Sequence, residues 1–170
     1  MTYWVIHFSV EAPDALIRGR SGDKQYDPLQ RGRLISVPIV YALEPGLLAQ
    51  EFRSVLASCT LGGRRPIDEP ERLEQMLRNA DVIVTARDDD QLIGVARAVT
   101  DFAFCGYLSE LAVDDRYQHQ GIGKRLIAET RAAAGVCASL FLFAAPGAEA
   151  YYPKVGMTPM PNGWVIRRER

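Results

Sequence analysis

The sequence predicts an α/β fold: one mixed (α+β) sheet flanked by helices. Three observations carry that expectation. Tyr107 to Val113 has the apolar and β-branched content of a buried strand, Asp114 to Gln120 is a polar connector, and helical spacing of Ile122, Leu126, Thr130 and Ala133 begins at Gly121. Residues 81–87 and 91–100 read as two strands of a hairpin turned by Asp88, Asp89 and Asp90. The run SLFLFA, Ser139 to Ala144, is apolar throughout, as in a strand buried on both faces. At 170 residues, with 48% apolar and 24% charged content, the chain can bury one core of its own.

Residues 1–10 are apolar but lack a basic start and a small-residue cleavage site, so a short strand is expected rather than a signal peptide. Residues 18–33 are polar with Gly and Pro and read as a linker or exposed excursion. Residues 1–35 are thus an N-terminal extension, its strand a candidate element for a homodimer, and 36–170 the domain proper. A first strand is expected over 37–43. A helix over 46–59 comes next, with Leu48, Phe52, Val55, Leu56 and Cys59 on one face and Gly62-Gly63 ending it. Asp68 opens a second helix, with Glu71 completing a capping box, Pro70 in the first turn and a stripe of Leu73, Met76, Leu77 and Ala80. After the hairpin, the central strand, its helix and SLFLFA, Pro146-Gly147 breaks the chain. Glu149 to Lys154 is a short helix capped by Gly156, and Trp164 to Arg168 a last strand. The expected order is β, α, α, β, β, β, α, β, α, β.

Bulk properties narrow the function. A net charge of −1 gives no case for nucleic acid. Cys59, Cys105 and Cys137 are odd in number and form no C-x-x-C pair, and His7 and His119 are the two histidines. That argues against a metal site and for a reducing, cytoplasmic setting. Cys105 reads as a plain buried or semi-buried thiol rather than a nucleophile. No apolar run approaches the ~20 residues that span a bilayer, so no membrane partner is expected.

The chemistry gathers at Gln118-x-x-Gly121-x-Gly123, which opens the helix after the central strand. Glycine lets a ligand approach the backbone, and first-turn N–H groups have no acceptor inside the helix. Free donors and the positive end of the helix dipole then favour phosphate. Arg116, Lys124 and Arg125 add positive charge.

LAVDDRYQHQGIGKRL resembles the pyrophosphate-loop signature of the GNAT N-acetyltransferase superfamily. Ala148 to Met157, AEAYYPKVGM, is similar to that family's penultimate helix and turn, A-x-x-x-Y-x-x-x-G-F. The likeness covers roughly 37–168 in element order, and TLGGRRP, DFAFCGYLSELAVD and AAPGAEAYYPKVG suggest a bacterial branch. It implies a sheet splayed at an acetyl-CoA site and transfer of acetyl to a primary amine by direct attack, without metal. The segment Leu111, Ala112 and Val113 would polarise the thioester carbonyl with free N–H groups. The amides of Gln118, His119, Gln120, Gly121, Ile122, Gly123 and Lys124 would meet the pyrophosphate. Tyr152 takes the family position of the general acid for the departing thiolate, or is a packing aromatic beside Tyr151. Glu110, the carboxylate of the central strand, would take the amine's proton directly or through water, or is a salt-bridged strand residue. The family position that often carries a basic Glu aligns with Tyr107, an Asn that contacts the cofactor aligns with Ala145, and Met157 replaces an aromatic. The Arg64-Arg65 pair lies between the two helices that border the family's acceptor site, meeting an anionic acceptor or lying solvated. A small-molecule amine, a protein N-terminus and a lysine all fit as acceptor. The rival reading is a non-catalytic acyl-CoA-binding module on the same fold.

Overall fold

The computed structural model describes residues 38–169. The expected N-terminal extension, its strand and its polar excursion lie outside the described residues. Among the described residues, five strands form one sheet in the order β1-β2-β3-β4-β5: β1 Val40–Leu43, β2 Val82–Asp88, β3 Gln91–Thr100, β4 Cys105–Val113 and β5 Ser139–Phe141. The first three pairings are antiparallel and β4–β5 is parallel, so the sheet is mixed, as expected. The described residues also form three α-helices: α1 Ala49–Ala57, α2 Pro70–Arg78 and α3 Ile122–Ala134.

The helices cover opposite faces. Phe52, Val55 and Leu56 of α1 and Leu73 and Leu77 of α2 pack on Ile83, Val95 and Ala112. Ile122, Leu126 and Ile127 of α3 pack on Val82, Val84, Ala96, Ala98 and Leu108. Neighbouring strand residues go to different cores because side chains alternate. With both faces covered, Val82 to Ala86 is buried without a break. Arg87 ties β2 to α1, reaching Glu44 at 2.7 Å and Glu51 at 2.8 Å.

The hairpin turns at Asp89, whose φ of 49° is tolerated by an Asp side chain. Elsewhere boundaries differ from expectation. Helix α1 stops at Ala57 with Ser58 as its cap, and Gly62-Gly63 belong to a separate 3-10 turn, Gly62–Arg64. The Asp68–Glu71 capping box does not form. Glu69 stands at the cap without a side-chain hydrogen bond, because Pro70 fixes the first helical position.

The C-terminal third departs most. Strand β5 ends at Phe141, and SLFLFA is not buried on both faces: Leu140 and Leu142 pack on the α3 core while Phe141 and Phe143 are exposed. The expected helix over 149–154 is a 3-10 turn, Tyr152–Val155, which Gly156 caps at φ 87° as its spacing suggests. Trp164 to Arg168 is not a strand, and Trp164 and Ile166 are almost wholly exposed. Cys105 is exposed rather than buried.

Candidate active site

Strand β4 pairs with β3 along its length but with β5 only from Cys105 to Tyr107. Beyond Tyr107 the two parallel strands part. The register with β3 also jumps: Arg97 faces Glu110 while Ala98 faces Leu108. Ser109 is therefore the extra residue of a β-bulge, which bends the strand and re-aims the residues beyond it. The N–H of Asp114 donates to the Ile93 carbonyl of β3 at 2.9 Å. Counting back by two, Ala112 and Glu110 also direct their N–H groups to β3, and Leu111 and Val113 direct theirs to the open edge. The Val113 carbonyl on that edge accepts from Gln118 Nε2 at 3.1 Å.

The connector holds its shape through Asp114. Its buried carboxylate accepts from the Arg116 N–H at 3.0 Å and from the Arg116 guanidinium at 3.0 and 2.7 Å. The guanidinium beside it is the chief reason its pKa falls to about 2. Arg116, expected to lend charge to the loop, is thus committed to this pair. His119 (φ 63°) and Gly121 (φ 84°) both adopt left-handed backbone. The first α3 bond runs from the Arg125 N–H to the Gly121 carbonyl at 3.0 Å. The N–H groups of Gly121, Ile122, Gly123 and Lys124 therefore have no acceptor within the helix. A Cβ on Gly121 would meet nothing within 4 Å, so there is open space in front of these donors. A phosphate-bearing group fits that end of the helix on charge and on room.

Two tyrosines come after β5. A Cβ on Gly123 would lie 2.7 Å from the Tyr151 hydroxyl and 3.9 Å from the Val113 side chain. Tyr151 thus sets its hydroxyl against the first turn of α3, at the end of the β4 opening. The sequence assigns it no role of its own, because its separation from Gly123 along the chain hides the contact. Tyr152 meets Tyr151 edge-on at a centroid distance of 5.4 Å. It lines a cavity of about 690 Å³ along the free edge of β5 with Phe141, Phe143, Val155 and Met160. Burial raises the pKa of both phenols, so both are protonated at neutral pH.

Glu110 is 2% exposed. Its carboxylate accepts from Arg97 Nε at 2.5 Å, from Arg65 Nε at 2.7 Å and from Ser109 Oγ at 3.0 Å. Protonating it would leave two guanidiniums without their anion. That geometry matches the salt-bridged alternative for this strand residue. Arg65, instead of lying solvated, crosses from the α1–α2 connection to β4, where Nη2 also donates to the Ser109 carbonyl at 2.7 Å. Among the described residues no cluster of His, Cys, Asp and Glu could hold a metal ion, and no helix is long and apolar enough to cross a membrane.

Comparison with known proteins agrees with this geometry. Among curated proteins, none is significantly similar in sequence. A Deinococcus radiodurans R1 crystal structure shares 24% identity over 76% of this chain and 88% of that one, with a TM-score of 0.62. A GNAT family acetyltransferase from Streptococcus pneumoniae shares 21% identity over 77% of this chain and 100% of that one, with a TM-score of 0.58. An aminoglycoside acetyltransferase from an uncultured soil metagenomic sample, solved with sisomicin, shares 21% identity over 77% and 94%, with a TM-score of 0.55. At these identities the likeness is one of fold. The family model described as "Acetyltransferase (GNAT) family" matches residues 49–157. With a splayed sheet, a glycine-opened helix and that match over more than half its length, the chain belongs to the GNAT acetyltransferase family.

Proposed function

We propose that the chain transfers an acetyl group from acetyl-CoA to a primary amine by direct attack. The observation that carries this reading is two sets of backbone donors that no strand or helix acceptor takes, the Val113 N–H having the Cys59 thiol beside it. Leu111 and Val113 direct N–H groups to the β4 opening, and Gly121 to Lys124 present theirs where α3 begins. The second group suits a pyrophosphate and the first a carbonyl oxygen that gains negative charge. Acetyl-CoA, when bound, supplies an acetyl group already activated as a thioester.

The remaining roles fall to side chains. Gln118 fixes the connector against Val113 and holds the loop donors in place. Tyr152, protonated and half-buried beside Tyr151, takes the role of proton donor for the leaving sulfur on the strength of its place four residues before Gly156, the family position of that acid. Glu110 holds the bulge rather than accepting the amine's proton, and the amine reaches the site neutral or loses its proton to water.

Calorimetric titration with acetyl-CoA tests the reading. Gly121→Asp places bulk and negative charge in the open space before the helix, and Asp tolerates a left-handed backbone better than most residues. The parent should bind acetyl-CoA, and the folded variant should bind roughly tenfold more weakly or worse. Equal affinity would remove the loop from the site. Turnover is best followed by chromatography of released CoA over an amine panel, because the exposed thiols of Cys105 and Cys137 react with thiol dyes.

A further inference from the structure

The strand registers place Val99 opposite Tyr107, and Tyr107 opposite Phe141. Their neighbours Ala98, Leu108 and Leu140 pack on the α3 side. Side-chain alternation therefore puts Val99, Tyr107 and Phe141 on the other face, in one row across three strands. That face is the one α1 and α2 cover further along, where Ile83, Val95 and Ala112 are buried beneath them. The helices stop short of the row: Val99, Tyr107 and Phe141 are 44%, 39% and 37% exposed. Phe143, on the same face of the same run, brings its ring to 5.7 Å from that of Tyr107.

Position and charge say what such a row would hold. Tyr107 and Phe141 are the last pair before β4 and β5 part, so the row lies at the foot of the opening into which Leu111 and Val113 direct their N–H groups. Further along β4 the wall carries Arg65 and Arg97 around Glu110: two cations against one anion. The carboxylates at the outer end are engaged locally. Asp81 accepts from the Thr100 N–H at 2.8 Å, and Asp101 accepts from the N–H groups of Ala103, Phe104 and Cys105.

We propose that this row is the floor of the acceptor site and that the acceptor is a primary monoamine with an aromatic or branched apolar body. The proposal rests on the acetyltransferase reading above and deepens it. Offset and edge-on contacts with Tyr107, Phe141 and Phe143 recognise such a body. Glu149 is the exposed carboxylate that lines the cavity with Phe141 and Phe143, and it suits a single ammonium, while the arginines further along β4 disfavour the additional cations of a polycation.

Ligand-observed NMR on the full chain saturated with CoA tests this. The probes are 2-phenylethylamine against spermidine and kanamycin. The aromatic amine should bind and the polycations should not. Tyr107→Ala and Phe143→Ser should each weaken phenylethylamine binding by about tenfold or more, the scale of losing a large apolar contact. Phe143 is 62% exposed, so its variant should stay folded even if the Tyr107 variant does not. Preference for the polycations, or phenylethylamine binding unmoved by both substitutions, would overturn the proposal. So would binding seen only after residues 1–35 are deleted, or a changed sedimentation rate in Phe143→Ser without a change in amine binding, since either assigns the row to another occupant. Titration of CoA into the same proteins separates the two readings. No CoA binding by the parent refutes the acetyltransferase reading, whereas equal CoA binding by all forms with no row-dependent amine binding refutes the acceptor proposal alone.

Discussion

Tyr151 and Tyr152 are adjacent in sequence yet meet different surroundings. The Tyr151 hydroxyl rests against Gly123, whereas Tyr152 faces the cavity beside β5. Removing each hydroxyl should therefore have a different effect. Tyr152→Phe should lower kcat by about 10²–10⁴-fold at similar acetyl-CoA affinity, the signature of a lost proton donor. Tyr151→Phe should instead alter acetyl-CoA affinity with little change in kcat. Steady-state kinetics beside calorimetry reads both, and the opposite pattern would move the acid role to Tyr151. The glycines of the helix start are legible in sequence because they come after a strand and before a helical repeat. The Tyr151–Gly123 contact is not, since it joins residues far apart in the chain whose only shared signal is the room a glycine leaves.

At the level of elements, the buried Arg65–Glu110–Arg97 group ties the α1–α2 connection to the bulge of β4. Arg97 adds bonds to the Met76 carbonyl of α2 at 3.0 Å and to Ser109 Oγ at 3.0 Å. Glu110→Gln keeps the shape and deletes the charge that two guanidiniums share. Breaking a buried pair in this way costs about 3–5 kcal/mol, and the partly exposed Arg65, free to turn toward water, argues for the lower end. Urea unfolding should show that loss. Unchanged stability with collapsed turnover would instead restore Glu110 as the base. The hairpin and α3 are readable because alternation and helical spacing each point to one structure. SLFLFA is not: an unbroken apolar run looks the same in a doubly covered strand and in one whose outer face stays open. The capping box fails for a local reason, since Pro70 takes the first helical position and leaves Asp68 outside the helix.

For the whole molecule, the connector is one source of stability that acid removes, beside the depressed carboxylates of Glu44 and Asp101. The Asp114 pKa falls from an ordinary 3.8 to about 2 through its Arg116 partner. A carboxylate depressed in the folded state stabilises fully above its unfolded value and loses that contribution as pH falls through the folded one. Asp114→Asn should therefore lower Tm at pH 7, and the gap from the parent should shrink between about pH 4 and pH 2. A gap of constant size across that range would show that the ion pair contributes nothing. The mixed sheet with helices on both faces is legible from the order of elements, but the C-terminal end is not. Trp164 to Arg168 has the composition of a strand, yet its residues lie exposed and unpaired, and composition carries no record of whether a partner is present. Ser109 has a consequence of its own at this scale. Because it and Glu110 together oppose Arg97, loss of Ser109 would leave the flanking side chains on their present faces while it removes the bend and the polar atoms that Ser109 gives to Arg65, Arg97 and Glu110. A one-codon deletion at that point is thus a route by which the width of the opening can change over generations while the two cores keep every residue they now contain.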